Sequence, residues 1–120
     1  MKTIFAVDDN HINLLAAEAA LSEDYEVFTL ASAEMMFGLL EHVTPDLILL
    51  DIIMPEVDGF AALARLKADG RFAEIPVIFL TGDEHPETKT RALEAGAADL
   101  IMKPFTREKL LKQLTMYNEQ

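Results

Sequence analysis

The apolar run Leu47-Ile48-Leu49-Leu50 ends on a carboxylate, Asp51, and continues into Ile52-Ile53-Met54-Pro55. A continuous run of this length reads as a strand buried on both faces, as in a parallel sheet. The carboxylate at its end is then aimed out of the sheet edge and not into the core. Other runs end in the same way: Ile4-Phe5-Ala6-Val7 on Asp8-Asp9, Val77-Ile78-Phe79-Leu80 on Thr81-Gly82-Asp83, and Leu100-Ile101-Met102 on Lys103-Pro104. In open α/β sheets, ligands bind outside the carboxyl ends of the strands. Those ends would gather acids, a hydroxyl and an ammonium in one place.

Strand and helix patterns alternate along the whole chain. Strands are expected at about Thr3–Val7, Glu26–Leu30, Asp46–Leu50, Val77–Leu80 and Ala98–Met102. The first helix runs from about Asn10 to Leu21, with Ile12, Leu15, Ala16 and Ala19 on one face. Ser32 caps a second helix carrying Met36, Leu39, Leu40 and Val43 at helical spacing, and Pro45 ends that segment. A third begins near Gly59 and stops at Gly70, read as a helix-terminating glycine. Pro86 suits the first turn of a fourth, which ends before Gly96. Thr106 caps the last, with Leu110, Leu111, Leu114 and Tyr117. This alternation argues for an α/β fold, a doubly wound five-stranded parallel sheet with five helices. The runs of strands one, three and four are the most apolar and belong in the middle, whereas Glu26 and Thr29 suit strand two to an edge. A flavodoxin-like order, 2-1-3-4-5, satisfies these hints and the right-handed crossover rule. Its switch point falls between strands one and three, beside Asp8, Asp9 and Asp51.

Composition narrows the choice further. At 120 residues and 51% hydrophobic, residues 1–120 fit one domain with a real core. A net charge of −11 disfavours nucleic acid and anionic membranes as direct ligands, and favours a basic partner surface or a bound cation. There is no cysteine, hence no disulfide framework, which is compatible with a reducing cytoplasm. The N-terminal apolar stretch is too short for a signal peptide or a membrane span.

Like-charged carboxylates sharing a pocket raise one another's pKa values, and a divalent cation or a nearby ammonium relieves the repulsion. Oxygen donors without His or Cys select a hard ion, Mg²⁺, and Lys103 supplies an ammonium. Such a pocket suits a phosphoryl group, with Asp51 as acceptor and Thr81 and Lys103 neutralising the oxygens. Each piece has a plainer reading by itself. Asp8-Asp9 would cap a helix, Asp51 would sit in a turn, and Thr81-Gly82 is ordinary loop chemistry. Their ordered arrival at the ends of different strands is what makes coincidence a poor explanation. His11, His42 and His85 read as solvated helix surface, and Met35-Met36 as core filler.

These residues resemble the response-regulator receiver domain of two-component signalling. The likeness runs from Val7-Asp8-Asp9-Asn10 through Leu49-Leu50-Asp51-Ile52-Ile53-Met54-Pro55 and Asp58-Gly59, then Pro76-Val77-Ile78, Leu80-Thr81-Gly82, Gly96-Ala97 and Lys103-Pro104-Phe105. The resemblance implies that Asp51 accepts phosphoryl from a partner phosphohistidine on a sensor histidine kinase or a histidine phosphotransfer protein. It implies Asp9 as a direct Mg²⁺ ligand, Asp8 acting largely through water, Asp51 itself, and the backbone carbonyl of Ile53. It implies that Thr81 bonds the new phosphoryl oxygen, that Lys103 pairs with it, and that the Lys103–Pro104 bond is cis. The chain is then a cytoplasmic signalling module, not an enzyme acting on other substrates, with an output domain or a homodimer left open.

Two departures stand out. Receivers commonly carry Tyr or Phe three residues before the lysine, and this chain has Leu100. Ala97-Ala98-Asp99-Leu100 also lacks the Asp-Asp-Tyr run of one dimerising subgroup. Among competing functions, a haloacid-dehalogenase-like phosphatase wants a general acid two residues after its nucleophile, where Ile53 cannot transfer protons. A pseudo-receiver that only binds partners would be expected to lack Asp51, an acid of the pair or Lys103, and all are present.

Overall fold

The computed structural model describes residues 1–118, so residues 119 and 120 lie outside it. Five strands, β1 (Thr3–Val7), β2 (Glu26–Leu30), β3 (Leu47–Asp51), β4 (Val77–Thr81) and β5 (Asp99–Met102), form one parallel sheet in the order 2-1-3-4-5. Between and after them run α1 (His11–Leu21), α2 (Ala33–Leu40), α3 (Gly59–Ala68), α4 (Pro86–Glu94) and α5 (Arg107–Asn118). Class, order and element count match the expectation, with most boundaries moved by a residue or two; α2 ends at Leu40 and leaves Val43, expected on it, beyond its end.

Alternation along the strands divides the core in two. Phe5, Val7, Ile48, Leu50, Val77 and Phe79 face one side, where they pack with Met36 and Leu40 of α2, Leu63 and Leu66 of α3, and Ala92 of α4. Ile4, Leu47, Leu49, Ile78, Leu80 and Ile101 face the other, against Leu21 of α1 and Leu110 and Leu114 of α5. β3 and β4 are buried along their whole length, as central strands should be, whereas Glu26 at the start of β2 is exposed.

Three local expectations need correction. The apolar face assigned to α1 is the outer one: Ile12 is 74% and Leu15 53% exposed, while Leu14, Ala17, Ala20 and Leu21 are buried. Alanines and leucines surround this helix, so sequence periodicity alone does not choose the side. Gly70 does follow the C-cap residue Asp69 at the end of α3, as expected, but without the left-handed backbone of a terminating glycine; that conformation belongs to Gly96, at φ 105°. Met36 is core, but Met35 is exposed.

Candidate functional site

Register brings the site together. Val7 pairs with Leu50, so Asp8 and Asp51 follow at the same level on adjacent strands. Asp51 lies opposite Leu80, and Thr81 opposite Met102, which places Thr81 and Lys103 just beyond. Asp8 and Asp51 continue the alternation of Ala6 and Leu49, on the α1/α5 side of the sheet. Thr81 continues that of Phe79 and faces the α3/α4 side.

The carboxylates of Asp8, Asp9 and Asp51 offer oxygens that all lie within 4.8 Å of one another. Asp8 is 2% and Asp51 6% exposed, whereas Asp9 is open to solvent. Lys103 Nζ donates to Asp8 Oδ2 and to Asp51 Oδ1, both at 2.9 Å. The Asn10 N–H donates to Asp8 Oδ1 at 2.9 Å. Asp8 and Asp9 do not cap α1; Asn10 does, accepting from the N–H groups of Ile12 and Asn13. The acid pair is thereby left free for the pocket. Burial pushes the Asp51 carboxyl up to about 6, against the lowering effect of the Lys103 hydrogen bond and helped by the charge of Asp8. Burial disfavours the Lys103 ammonium, but its bonds to Asp8 and Asp51 outweigh this and hold its pKa above the usual lysine value.

An all-oxygen set of converging carboxylates, two of them buried against a single ammonium, is the donor chemistry of a hard divalent cation, and Mg²⁺ fits it. The Ile53 side chain is 75% exposed on the loop after β3 and brings no side-chain oxygen.

That loop is tightly built. The Val57 N–H donates to the Pro55 carbonyl at 2.8 Å, a three-residue turn centred on Glu56, which sits at φ 67°. A positive φ is strained for a residue with a Cβ. Gly59 opens α3 directly under β3, its N–H donating to the Ile52 carbonyl at 2.7 Å. Asp58 caps that helix through the Ala61 N–H at 2.8 Å. The Lys103–Pro104 peptide is cis, as the resemblance implied.

Thr81 is buried at the end of β4, and its Oγ1 accepts from the Asp83 N–H at 3.0 Å. It lines a cavity of about 390 Å³ with Met54, Phe60, Thr88 and Arg91, and the Arg91 guanidinium stacks 3.9 Å above the Phe60 ring. Leu100 is buried and borders a second cavity of about 330 Å³ between α4, β5 and α5. All three histidines are exposed as expected; His85 is in addition the N-cap residue of α4 and pairs with Asp83. The parts played by Asp58, Asp83, Thr88 and Arg91 were not read from the sequence. An aspartate immediately before a helix start was a legible signal for Asp58; the others depend on loop geometry.

A five-stranded parallel sheet with clustered acids and a lysine at its carboxyl edge defines a phosphoacceptor-type α/β module. The family model of the response regulator receiver domain matches residues 4–115, and this chain belongs to that family. It is 37% identical over 103 residues to the response regulator PleD of Caulobacter vibrioides, covering 85% of this chain and 23% of that protein. It is 36% identical over 114 residues to the phosphate regulon transcriptional regulatory protein PhoB of Pseudomonas aeruginosa, covering 94% of this chain and 50% of that one. The chain thus spans half or less of the length of these relatives. Among solved structures, the chemotaxis protein CheY4 of Vibrio cholerae matches with a TM-score of 0.91 and 29% identity, over 98% of each chain. The fold and acidic pocket fit phosphoacceptor function, and neither the phosphatase nor the binding-only reading is favoured. Among the described residues, no helix is long and apolar enough to cross a membrane.

Proposed function

We propose that residues 1–120 form one receiver domain in which Asp51 accepts a phosphoryl group from a phosphohistidine of a sensor histidine kinase or a histidine phosphotransfer protein. The observation that carries this reading is the Lys103 ammonium held between two buried carboxylates, Asp8 and Asp51, at the sheet edge. Asp51 attacks phosphorus as a carboxylate, a P–O bond forms, the P–N bond to the donor imidazole breaks, and the imidazole nitrogen takes up a proton. With its pKa near 6, most Asp51 side chains are ionised at neutral pH, and partial desolvation makes the carboxylate a better nucleophile than an exposed one.

Asp8, Asp9 and Asp51, with the backbone carbonyl of Ile53, would hold Mg²⁺. Bound there, the ion supplies Lewis-acid charge that the phosphoryl oxygens require. Lys103 pairs with one phosphoryl oxygen, and the Thr81 hydroxyl donates to another. The domain then catalyses only its own phosphorylation and dephosphorylation. Its output lies in a partner, in a homodimer or in a linked output domain, the last consistent with the greater length of its relatives. The cysteine-free chain suits a reducing cytoplasm, where this reading places it.

The test is phosphoryl uptake from an acyl phosphate, followed with and without Mg²⁺. Uptake should require the ion and fall sharply in Asp9→Ala. Mg²⁺-independent uptake, or full uptake in Asp9→Ala, contradicts the proposal.

A further inference from the structure

α4 is weakly attached to the rest of the fold. Ala92 is its one buried residue, Leu93 faces solvent, and the mid-helix contact is the Arg91 guanidinium over Phe60. Its N-terminus is also unusual. The N-cap residue, His85, makes no side-chain cap bond, although an uncapped helix start leaves several N–H groups without partners. Pro86 at the first helical position removes one of those N–H groups.

The helix start is instead tied down from outside the helix, through the N-cap N–H and a first-turn hydroxyl. Asp83, two residues before the N-cap, accepts from the His85 N–H at 2.9 Å and contacts the His85 ring nitrogen Nδ1 through Oδ1. Its Oδ2 accepts from the Thr88 hydroxyl at 2.6 Å, in the first turn. The same residue reaches the other way: its N–H donates to Thr81 Oγ1. Between them lies Gly82, exposed, with open space where a Cβ would be. The carboxylate is firmly engaged in this arrangement: the Thr88 hydroxyl, then the backbone and ring of His85, hold its pKa down at about 2.

We propose that Asp83 is the strut that couples Thr81 to α4, so that the position of one hydroxyl at the phosphoryl site sets the position of the helix. The inference rests on the phosphoacceptor reading above, in which Thr81 turns to donate to a phosphoryl oxygen. A moving Thr81 Oγ1 takes the Asp83 N–H with it, and the carboxylate draws on Thr88 and His85. A helix with few buried contacts yields to such a pull more readily than its neighbours. With Leu100 in place of an aromatic ring beside β5, the strut is the bonded path from Thr81 to α4 among the described residues.

The test is amide hydrogen exchange of the full chain with and without beryllofluoride and Mg²⁺, in the wild type, Asp83→Ala, Thr88→Val and Thr88→Ser. In the wild type, protection should change both around Asp8–Asn10 and Asp51 and across residues 85–95. Thr88→Val keeps the shape of the side chain but removes the hydroxyl, and Asp83→Ala removes the carboxylate. In both, the change across 85–95 should shrink about fivefold or more, the scale of ordinary coupling between sites, while the response at Asp8–Asn10 and Asp51 persists. Thr88→Ser retains the hydroxyl and should restore the helix response, which a purely structural role at this position would not require. An undiminished change across 85–95 in both Asp83→Ala and Thr88→Val overturns the strut. So does a wild type that responds at Asp51 but not in α4. Silence throughout the wild type overturns the phosphoacceptor reading itself and is distinguishable from either result. Thr88→Val keeps the test decisive if Asp83→Ala unfolds the helix start.

Discussion

Lys103 and Asp51 meet across a strand that separates them: the ammonium follows β5, the carboxylate ends β3, and β4 lies between, yet Nζ and Oδ1 are 2.9 Å apart. The contact spans 52 residues of sequence. It exists because the parallel register brings all the strand ends to one edge, where a long lysine side chain reaches over the end of β4. The same ammonium neutralises Asp8, so one cation balances two buried anions.

Lys103→Met should therefore destabilise the fold in the absence of divalent cations. Two carboxylates would stay buried with no ammonium, and removing one partner of a buried pair is costly. Partial solvent access and protonation of Asp51 reduce the loss to about 1–3 kcal/mol. Urea unfolding in chelator should show it, and saturating Mg²⁺ should restore part of it. A midpoint unchanged from the wild type would show that the ammonium is not needed for charge balance.

Metal-free stability should fall as pH rises through the Asp51 titration. Unfolded aspartate titrates near about 3.9. In the fold, burial raises Asp51 to about 6. Between these values the folded state binds more protons than the unfolded state, so stability is greatest below about 4 and declines toward 6. The decline is on the order of 1–3 kcal/mol after allowance for solvent screening. Asp83 runs the other way, since its depressed pKa contributes stability above about 4 that is lost only as pH drops toward 2. Urea midpoints from pH 4 to 7 in chelator should show a slope that Asp51→Asn removes. Equal slopes in both proteins would refute the linkage.

Gly59 and Gly38 should respond in opposite directions to alanine. A Cβ on Gly59 would lie 2.6 Å from the Asp51 carbonyl oxygen and 2.8 Å from Ile52 Cα, both backbone atoms. Gly59→Ala must push α3 away from β3 and should cost about 1–3 kcal/mol. Gly38 lies within α2 with open space at its Cβ position, so Gly38→Ala should add about 0.5–1 kcal/mol. Thermal melts of the two variants give the comparison directly; a Gly59→Ala protein as stable as the wild type would mean that β3 and α3 are not in such close contact.

The inner face of α1 is tested by neighbouring leucines. Leu14 is buried and Leu15 exposed. Leu14→Ala should cost about 2–4 kcal/mol and Leu15→Ala less than about 0.5 kcal/mol. The reverse order would restore the face read from the sequence.

These cases show where sequence was sufficient. The strands were legible because continuous apolar runs allow few alternatives, and their polar ends located Asp8, Asp51, Thr81 and Lys103 before any geometry was known. Asp9 joined them by adjacency. The buried face of α1 is not legible because its apolar residues wrap around it, so burial is decided by packing on β2, α5 and β1, which local sequence does not encode. Gly70 marks the end of α3 but not its backbone conformation, because a glycine after a helix permits a left-handed residue without requiring one. The Asp83 network went unread because it depends on how a loop folds back onto the helix that follows it.

Phosphoacceptor function rests on the chemistry of one carboxylate, Asp51. Incubation with an acyl phosphate and Mg²⁺, followed by mass-spectrometric mapping of the adduct, measures it most directly. A single added phosphoryl group on Asp51, absent from Asp51→Asn, is the predicted result. Comparable labelling of Asp51→Asn, or an adduct on a different residue of the wild type, would contradict it.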